Sequence, residues 1–198
     1  MSNIAVLVSG GGTNLQALID AQENVLQHGK IKLVISSKPD VYALQRAEKA
    51  GIDHCVIAKS DYITQEEFST ALLKKLQSYQ IDMIVLAGYL SILDETIIRA
   101  YPDRIINIHP SLIPSFCGKG YYGLKVHEAA LKYGVKVTGA TVHLVNEIPD
   151  GGKILLQKAV DILPSDTPEV LQQRVMEEAE WILLPQATEM IAKEIEGK

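Results

Sequence analysis

The sequence predicts a three-layer α/β/α fold on a mainly parallel sheet, with an antiparallel hairpin near the C-terminal end. Three observations lead there. Short apolar runs such as residues 4–8 and 83–87 are continuous rather than alternating, as in strands covered on both faces. Amphipathic stretches alternate with them in βαβα order. Beyond residue 134 two β-type runs follow each other with only a loop between, which reads as a hairpin.

Taken in order, residues 4–8 form a buried strand, and residues 14–26 a helix with Leu15, Leu18, Ile19 and Leu26 on one face. Residues 32–36 make a second strand, 42–50 a second helix and 54–57 a short third strand. Residues 65–79 form a helix whose stripe is Phe68, Leu72, Leu73 and Leu76. Residues 83–87 are a further buried strand and 94–100 a short helix. Residues 104–108 form the strand that delivers Asn107 and His109. Residues 111–123 are irregular and hold Pro114, Gly118, Gly120 and Gly123, and residues 125–133 return to helix. Residues 135–145 and 153–160 are the hairpin strands, joined by a loop that contains Asp150-Gly151-Gly152, so the sheet is mixed. Thr167 followed by Pro168 signals the start of a long final helix. Pro185 is expected to kink or interrupt it.

The 198 residues suit one domain, and 47% apolar against 22% charged residues allows a sizeable core. A net charge of -5 and a pI near 5.5 argue against a general nucleic-acid binder, while leaving room for a local pocket for one phosphate. Cys55 and Cys117 lie far apart, without metal-ligand or disulfide spacing, and read as reduced thiols. No apolar run reaches membrane length, and residues 3–9 are too short and lack the basic start of a signal peptide. The expected compartment is the cytoplasm.

Chemistry is expected at the end of the strand 104–108. Asn107 and His109, two residues apart in extended chain, point to the same side. A carboxamide can hold a carbonyl oxygen while an imidazole moves a proton. Open α/β folds place their sites at the carboxyl ends of strands. A lone strand-end histidine is more often structural, so the pair needs a third group. Asp150 is the candidate, although Asp-Gly-Gly by itself is a turn. Ser9-Gly10-Gly11-Gly12-Thr13-Asn14 follows the first strand and opens the first helix, where backbone N–H groups can receive an anion. The dinucleotide fingerprint fits poorly, because Leu15 occupies the third glycine position and the second strand ends Ser36-Ser37-Lys38 with no acid. A phosphate or phosphoribosyl site fits better, against a plain glycine turn. His143 reads as a hydrogen-bonded core residue, His127 as a cap neighbour or pocket wall, and His28 and His54 as surface or turn residues. Glu177, Glu178 and Glu180 read as a solvated helix face. No spacing suits a metal, and none is expected.

With these segments in order, the chain resembles the phosphoribosylglycinamide formyltransferases, within the wider set of folate-dependent formyl transferases. The likeness covers nearly the whole chain. It rests on residues 9–14, Leu86-Ala87-Gly88-Tyr89, the run from Asn107-Ile108-His109-Pro110 to Pro114, and Thr141-Val142-His143 with Asp150-Gly151-Gly152. It implies a single formyltransferase domain of Rossmann-like fold over residues 1–198. The part to about residue 110 would bind the ribonucleotide, and the rest would supply the folate site and catalytic loop. Asn107, His109 and Asp150 then fall on the catalytic positions. Gly11, Gly12, Thr13 and Asn14 would hold the ribonucleotide phosphate, and Glu180 would meet its glycinamide end. Leu90, Ser91, Ile92 and Leu93, together with Asn107, Asn146, Glu147, Ile148, Pro149 and Asp150, would line the folate pocket.

The implied reaction moves a formyl group from 10-formyltetrahydrofolate, as co-substrate, to the amine of glycinamide ribonucleotide, in purine biosynthesis. Asn107 would donate to the oxyanion, His109 would move protons, and Asp150 would orient the ring and favour its charged form. The expected partners are these small molecules, with no nucleic acid and no membrane, in a monomer or homodimer. Alternatives are a formyltetrahydrofolate hydrolase, for which an extra N-terminal domain is expected, a methionyl-tRNA formyltransferase, which needs a further C-terminal domain, and a non-catalytic nucleotide-binding module. Four departures from the family pattern stand out. Ser91 and Gln65 occupy positions where the family often carries arginine. The loop 117–123 inserts Lys119, Tyr121 and Tyr122, and the final helix holds one extra residue before Glu180.

Overall fold

Strands β1 (Ser2–Val8), β2 (Gly29–Ser36), β3 (Asp53–Val56), β4 (Met83–Leu86), β5 (Ile105–His109), β6 (Val137–Leu144) and β7 (Ile154–Asp161) form one sheet in the computed structural model, which describes residues 1–197. Their order is β3-β2-β1-β4-β5-β6-β7. The first five run parallel, and β6 lies antiparallel to both β5 and β7. Helices α1 (Thr13–Ala21), α2 (Tyr42–Lys49), α3 (Gln65–Ser78), α4 (Glu95–Ala100), α5 (Leu124–Tyr133), α6 (Pro168–Val175) and α7 (Trp181–Glu196) cover the sheet. The expected mixed α/β/α architecture is the one observed.

The unbroken apolar strands have the predicted cause. Along β1, Ile4, Val6 and Val8 join the cluster beneath α1, α2, α6 and α7, while Ala5 and Leu7 join the one beneath α3 and α4. Phe68, Leu72 and Leu76 of α3 are fully buried against Leu33, Ile35 and Ile84. Burial of each such side chain stabilises the fold by about 1.5–3 kcal/mol. α3 begins with a capping box, in which Thr64 accepts from the Glu67 N–H and the Glu67 carboxylate accepts from the Thr64 N–H. Asp94 and Thr167 cap α4 and α6 in the same manner with one bond each.

Two expectations shift. The first helix stops at Ala21 rather than residue 26, and the chain turns there so that Leu26 still reaches the core. The interruption expected at Pro185 lies earlier in the chain, where Met176–Glu180 forms a π-helical segment between α6 and α7. Pro185 itself is buried inside α7, which runs through it. A π turn holds one residue more than an α turn allows. The wider turn lets α6 and α7 both keep their apolar residues buried.

Candidate active site

The sheet reverses its winding between β1 and β4, and a crevice opens at the carboxyl ends of strands at such a switch point. Ser9 closes the base of this crevice. Its hydroxyl lies 2.6 Å from that of Ser37, beyond β2, and accepts the Leu90 N–H, beyond β4, at 2.9 Å. Three strand ends are thereby tied together.

Beside this crevice β5 carries Ile106 and Ile108 into the core on one face. On the other face Asn107 and His109 stand together, His143 of β6 lies directly across from Asn107, and α3 and α4 pack against the strands before them. β6 runs down beside β5 as far as Ile105, whose carbonyl accepts the Val145 N–H. The loop after it doubles back and brings Asp150 over this polar face. Asp150 has φ 56, a left-handed conformation that few side chains other than Asn and Asp tolerate.

The carboxylate of Asp150 is shared. Oδ2 accepts the Gly118 N–H at 2.7 Å and lies 3.6 Å from His109 Nδ1, an ion-pair distance just outside a hydrogen bond. Oδ1 lies 3.5 Å from both Asn107 Nδ2 and His143 Nε2. The orientation of His109 comes from elsewhere, since its Nε2 donates to the Phe116 carbonyl at 2.9 Å. Phe116 also has a positive φ, 48, and its ring packs edge-on against Tyr121 and Tyr133. The irregular loop thus holds both the imidazole and the carboxylate through its backbone.

Burial pushes His109 below the ordinary histidine value, and Asp150 and the Phe116 carbonyl offset only part of that. The carboxylate therefore favours the charged ring, as expected, but does not prevail. Burial opposes ionisation of Asp150 as well, yet the charge of His109 and the Gly118 N–H hold its carboxyl below the usual carboxylate range. His127, fully buried in the first turns of α5, is pushed down to about 4 by burial and then by the charge of His109. It is a neutral, buried neighbour of His109.

The glycine-rich turn opens α1 with Gly12 in the left-handed region at φ 73 and no side-chain cap. The first-turn N–H groups have no intrahelical partner and stay free for an anion. The two glycines differ. A Cβ on Gly12 would lie 2.7 Å from that of Ala43, so its smallness serves the packing of α2, whereas Gly11 faces open space. Arg46 braces the turn by donating to the Gly11 carbonyl at 2.9 Å. Asn14 donates to Glu180 Oε2 at 2.6 Å, which joins the turn to the π segment. Glu180 is 6% exposed, not part of a solvated face, and burial raises its carboxyl to about 7 against the bond from Asn14.

Leu90, Ser91, Ile92 and Leu93 on one side, and Asn146 to Asp150 on the other, line one cavity floored by Asn107 and His143. Leu90, Ile92 and Ile148 are 51%, 69% and 65% exposed, so the cavity has an exposed apolar rim. Gln65 bonds within its own helix to Ser69 at 3.3 Å. Among the described residues no cluster of His, Cys, Asp or Glu has metal-binding geometry, and no helix is long and apolar enough to cross a membrane. Sequence reasoning placed His143 in the core and gave Phe116, Gly118 and Arg46 no role. His143 had one legible signal, namely that pairing the strands of Asn107 and His143 would have put the two side chains on one face. Nothing in the sequence marks the backbone groups of Phe116 and Gly118.

The fold and this cluster define a doubly wound α/β protein with a carboxamide, an imidazole and a carboxylate gathered at the carboxyl end of β5. The chain belongs to the formyl transferase family, whose model matches residues 2–188. It is 43% identical over 190 residues to the trifunctional purine biosynthetic protein adenosine-3 of Drosophila melanogaster, covering 95% of this chain but only 14% of that protein. It is 43% identical to the phosphoribosylglycinamide formyltransferase of Haemophilus influenzae, covering 90% of this chain and 82% of that one. The crystal structure of glycinamide ribonucleotide transformylase 1 from Symbiobacterium toebii superposes with a TM-score of 0.91 at 41% identity, covering 98% of this chain and 89% of that chain. The resemblance carried by the sequence motifs is borne out.

Proposed function

We propose that this chain transfers the formyl group of 10-formyltetrahydrofolate to the amine of glycinamide ribonucleotide, a step of purine biosynthesis. The observation that carries the reading is that Asn107 and Asp150 line a cavity with an apolar rim while His109 stands 3.6 Å behind the Asp150 carboxylate. The relatives named for this activity support it. Leu90, Ile92 and Ile148 would grip the flat pterin end of the folate, with polar backbone groups of residues 146–150 beside it. The turn at Gly11 would hold the phosphate on the N-terminus of α1, and Glu180 with Asn14 would receive the glycinamide end.

The amine attacks the formyl carbon, and Asn107 Nδ2 donates to the oxygen as it becomes negative. One preorganised donor of this kind is worth about 2.7–4 kcal/mol. Because Nε2 of His109 is engaged by Phe116, the proton moves at Nδ1. The neutral ring takes the amine proton there as the new C–N bond forms. It returns that proton to N10 as the old bond breaks, so one proton passes from amine to folate and no enzyme bond is made. Asp150 stabilises the imidazolium in between.

The deciding experiment measures tetrahydrofolate release by absorbance with and without glycinamide ribonucleotide. Release that depends on the ribonucleotide is expected. Equal release without it would mark a hydrolase, and none under either condition would mark a binding module.

A further inference from the structure

His143 is buried on β6 and stands across from Asn107 in the β5–β6 register. Its Nδ1 lies 2.8 Å from the carbonyl oxygen of Leu144. A carbonyl oxygen only accepts, so Nδ1 carries the hydrogen, and Nε2 of the neutral ring presents a lone pair. The Asn107 amide nitrogen lies 3.1 Å from that lone pair and donates one of its two hydrogens to it. A flipped amide would set Oδ1 against Nε2, acceptor against acceptor. The ring therefore selects one of the two amide orientations. The second hydrogen on Nδ2 has only a long contact, 3.5 Å to Asp150 Oδ1, and is the one left for a substrate oxygen.

The backbone supports this arrangement from behind. The β6–β7 ladder shifts register between Val142 and His143, the kind of irregularity that re-aims a side chain beside a site. A Cβ on Gly152 would stand 1.7 Å from the Leu144 oxygen, so only glycine lets the returning chain lie against the carbonyl that fixes the ring.

We infer that His143 is a positioning residue, which holds the Asn107 amide through the lone pair of Nε2 with its free N–H aimed at the reacting oxygen. The inference rests on the reading of Asn107 as the oxyanion donor. It is a role for the imidazole that requires neither contact with substrate nor transfer of a proton.

The test compares His143→Gln, His143→Asn, Asn107→Ala and the Asn107→Ala/His143→Asn double variant, with thermal unfolding as a check on folding. Glutamine reaches the place of Nε2 with an acceptor, whereas asparagine reaches only the place of Nδ1. His143→Asn is expected to lower kcat about 10- to 100-fold, part of the full effect of an oxyanion donor. KM for both substrates should stay within about threefold. His143→Gln should recover most of the lost kcat, and the double variant should be no slower than Asn107→Ala. Equal losses in His143→Gln and His143→Asn would overturn the inference, because damaged packing produces that pattern. Additive losses in the double variant would overturn it too, since His143 would then act apart from Asn107. Full kcat in His143→Asn beside a slow Asn107→Ala removes the positioning role and leaves the donor reading intact. Full kcat in Asn107→Ala removes the donor reading itself.

Discussion

The carbonyl of Phe116 accepts the Nε2–H of His109 at 2.9 Å, which leaves Nδ1 as the nitrogen that faces Asp150. If Nδ1 moves the proton, His109→Ala should lower kcat by roughly 10²–10⁴-fold with little change in KM for the ribonucleotide. Asp150→Asn keeps an acceptor for the Gly118 N–H and removes the charge. Asp150 raises the His109 pKa, so its loss should move the acid limb of kcat/KM to lower pH in the residual activity. Steady-state kinetics from pH 5 to 8 would reveal this, and an unmoved limb would remove Asp150 as the partner of His109.

Burial pushes the Glu180 carboxyl up to about 7. If its carboxylate receives the glycinamide end, KM for the ribonucleotide should rise as pH falls below about 7, and Glu180→Gln should abolish that rise. Stability moves the other way. The folded value lies above the ordinary glutamate value of 4.5, so the folded state holds the proton more tightly. That contribution is complete below the unfolded value and is lost as pH rises through the folded one. Glu180→Gln should therefore raise Tm more at pH 8 than at pH 5, measured by calorimetry.

The two glycines of the anion turn should respond differently to valine. Gly11→Val places its side chain in open space, so it should unfold like the parent while weakening ribonucleotide binding at least about tenfold, as calorimetric titration would read. Gly12→Val combines a left-handed backbone with a clash against Ala43, and should cost about 2 kcal/mol or more in chemical denaturation. Normal ribonucleotide affinity in Gly11→Val would remove the phosphate site from this turn.

Deleting Glu178, an exposed residue of the π segment, should close the turn into continuous α-helix. Because α6 and α7 keep their packed faces, Tm should hold and the Asn14–Glu180 contact should survive. A lower Tm together with a raised KM for the ribonucleotide would mean that the widened turn itself aims Glu180.

The strands and helices were legible because their apolar periods are local. Every strand and helix of the core appears within a few residues of its expected place, apart from the early end of α1. Asn107, His109 and Asp150 were legible as a candidate group because motif spacing and strand ends announce them. The irregularity near Pro185 was expected at the wrong turn, since a proline marks where a hydrogen bond is missing and not where the chain absorbs an extra residue.

The α/β fold, the glycine-rich turn and the strand-end pair are all written in runs of neighbouring residues. Packing of the layers sets which nitrogen of His109 is free, brings His143 to face Asn107, and buries Glu180 against Asn14. Those relationships join residues far apart in the chain. They depend on backbone carbonyls and amides whose direction no side-chain pattern records, and on a low-dielectric setting that exists only once the layers have packed.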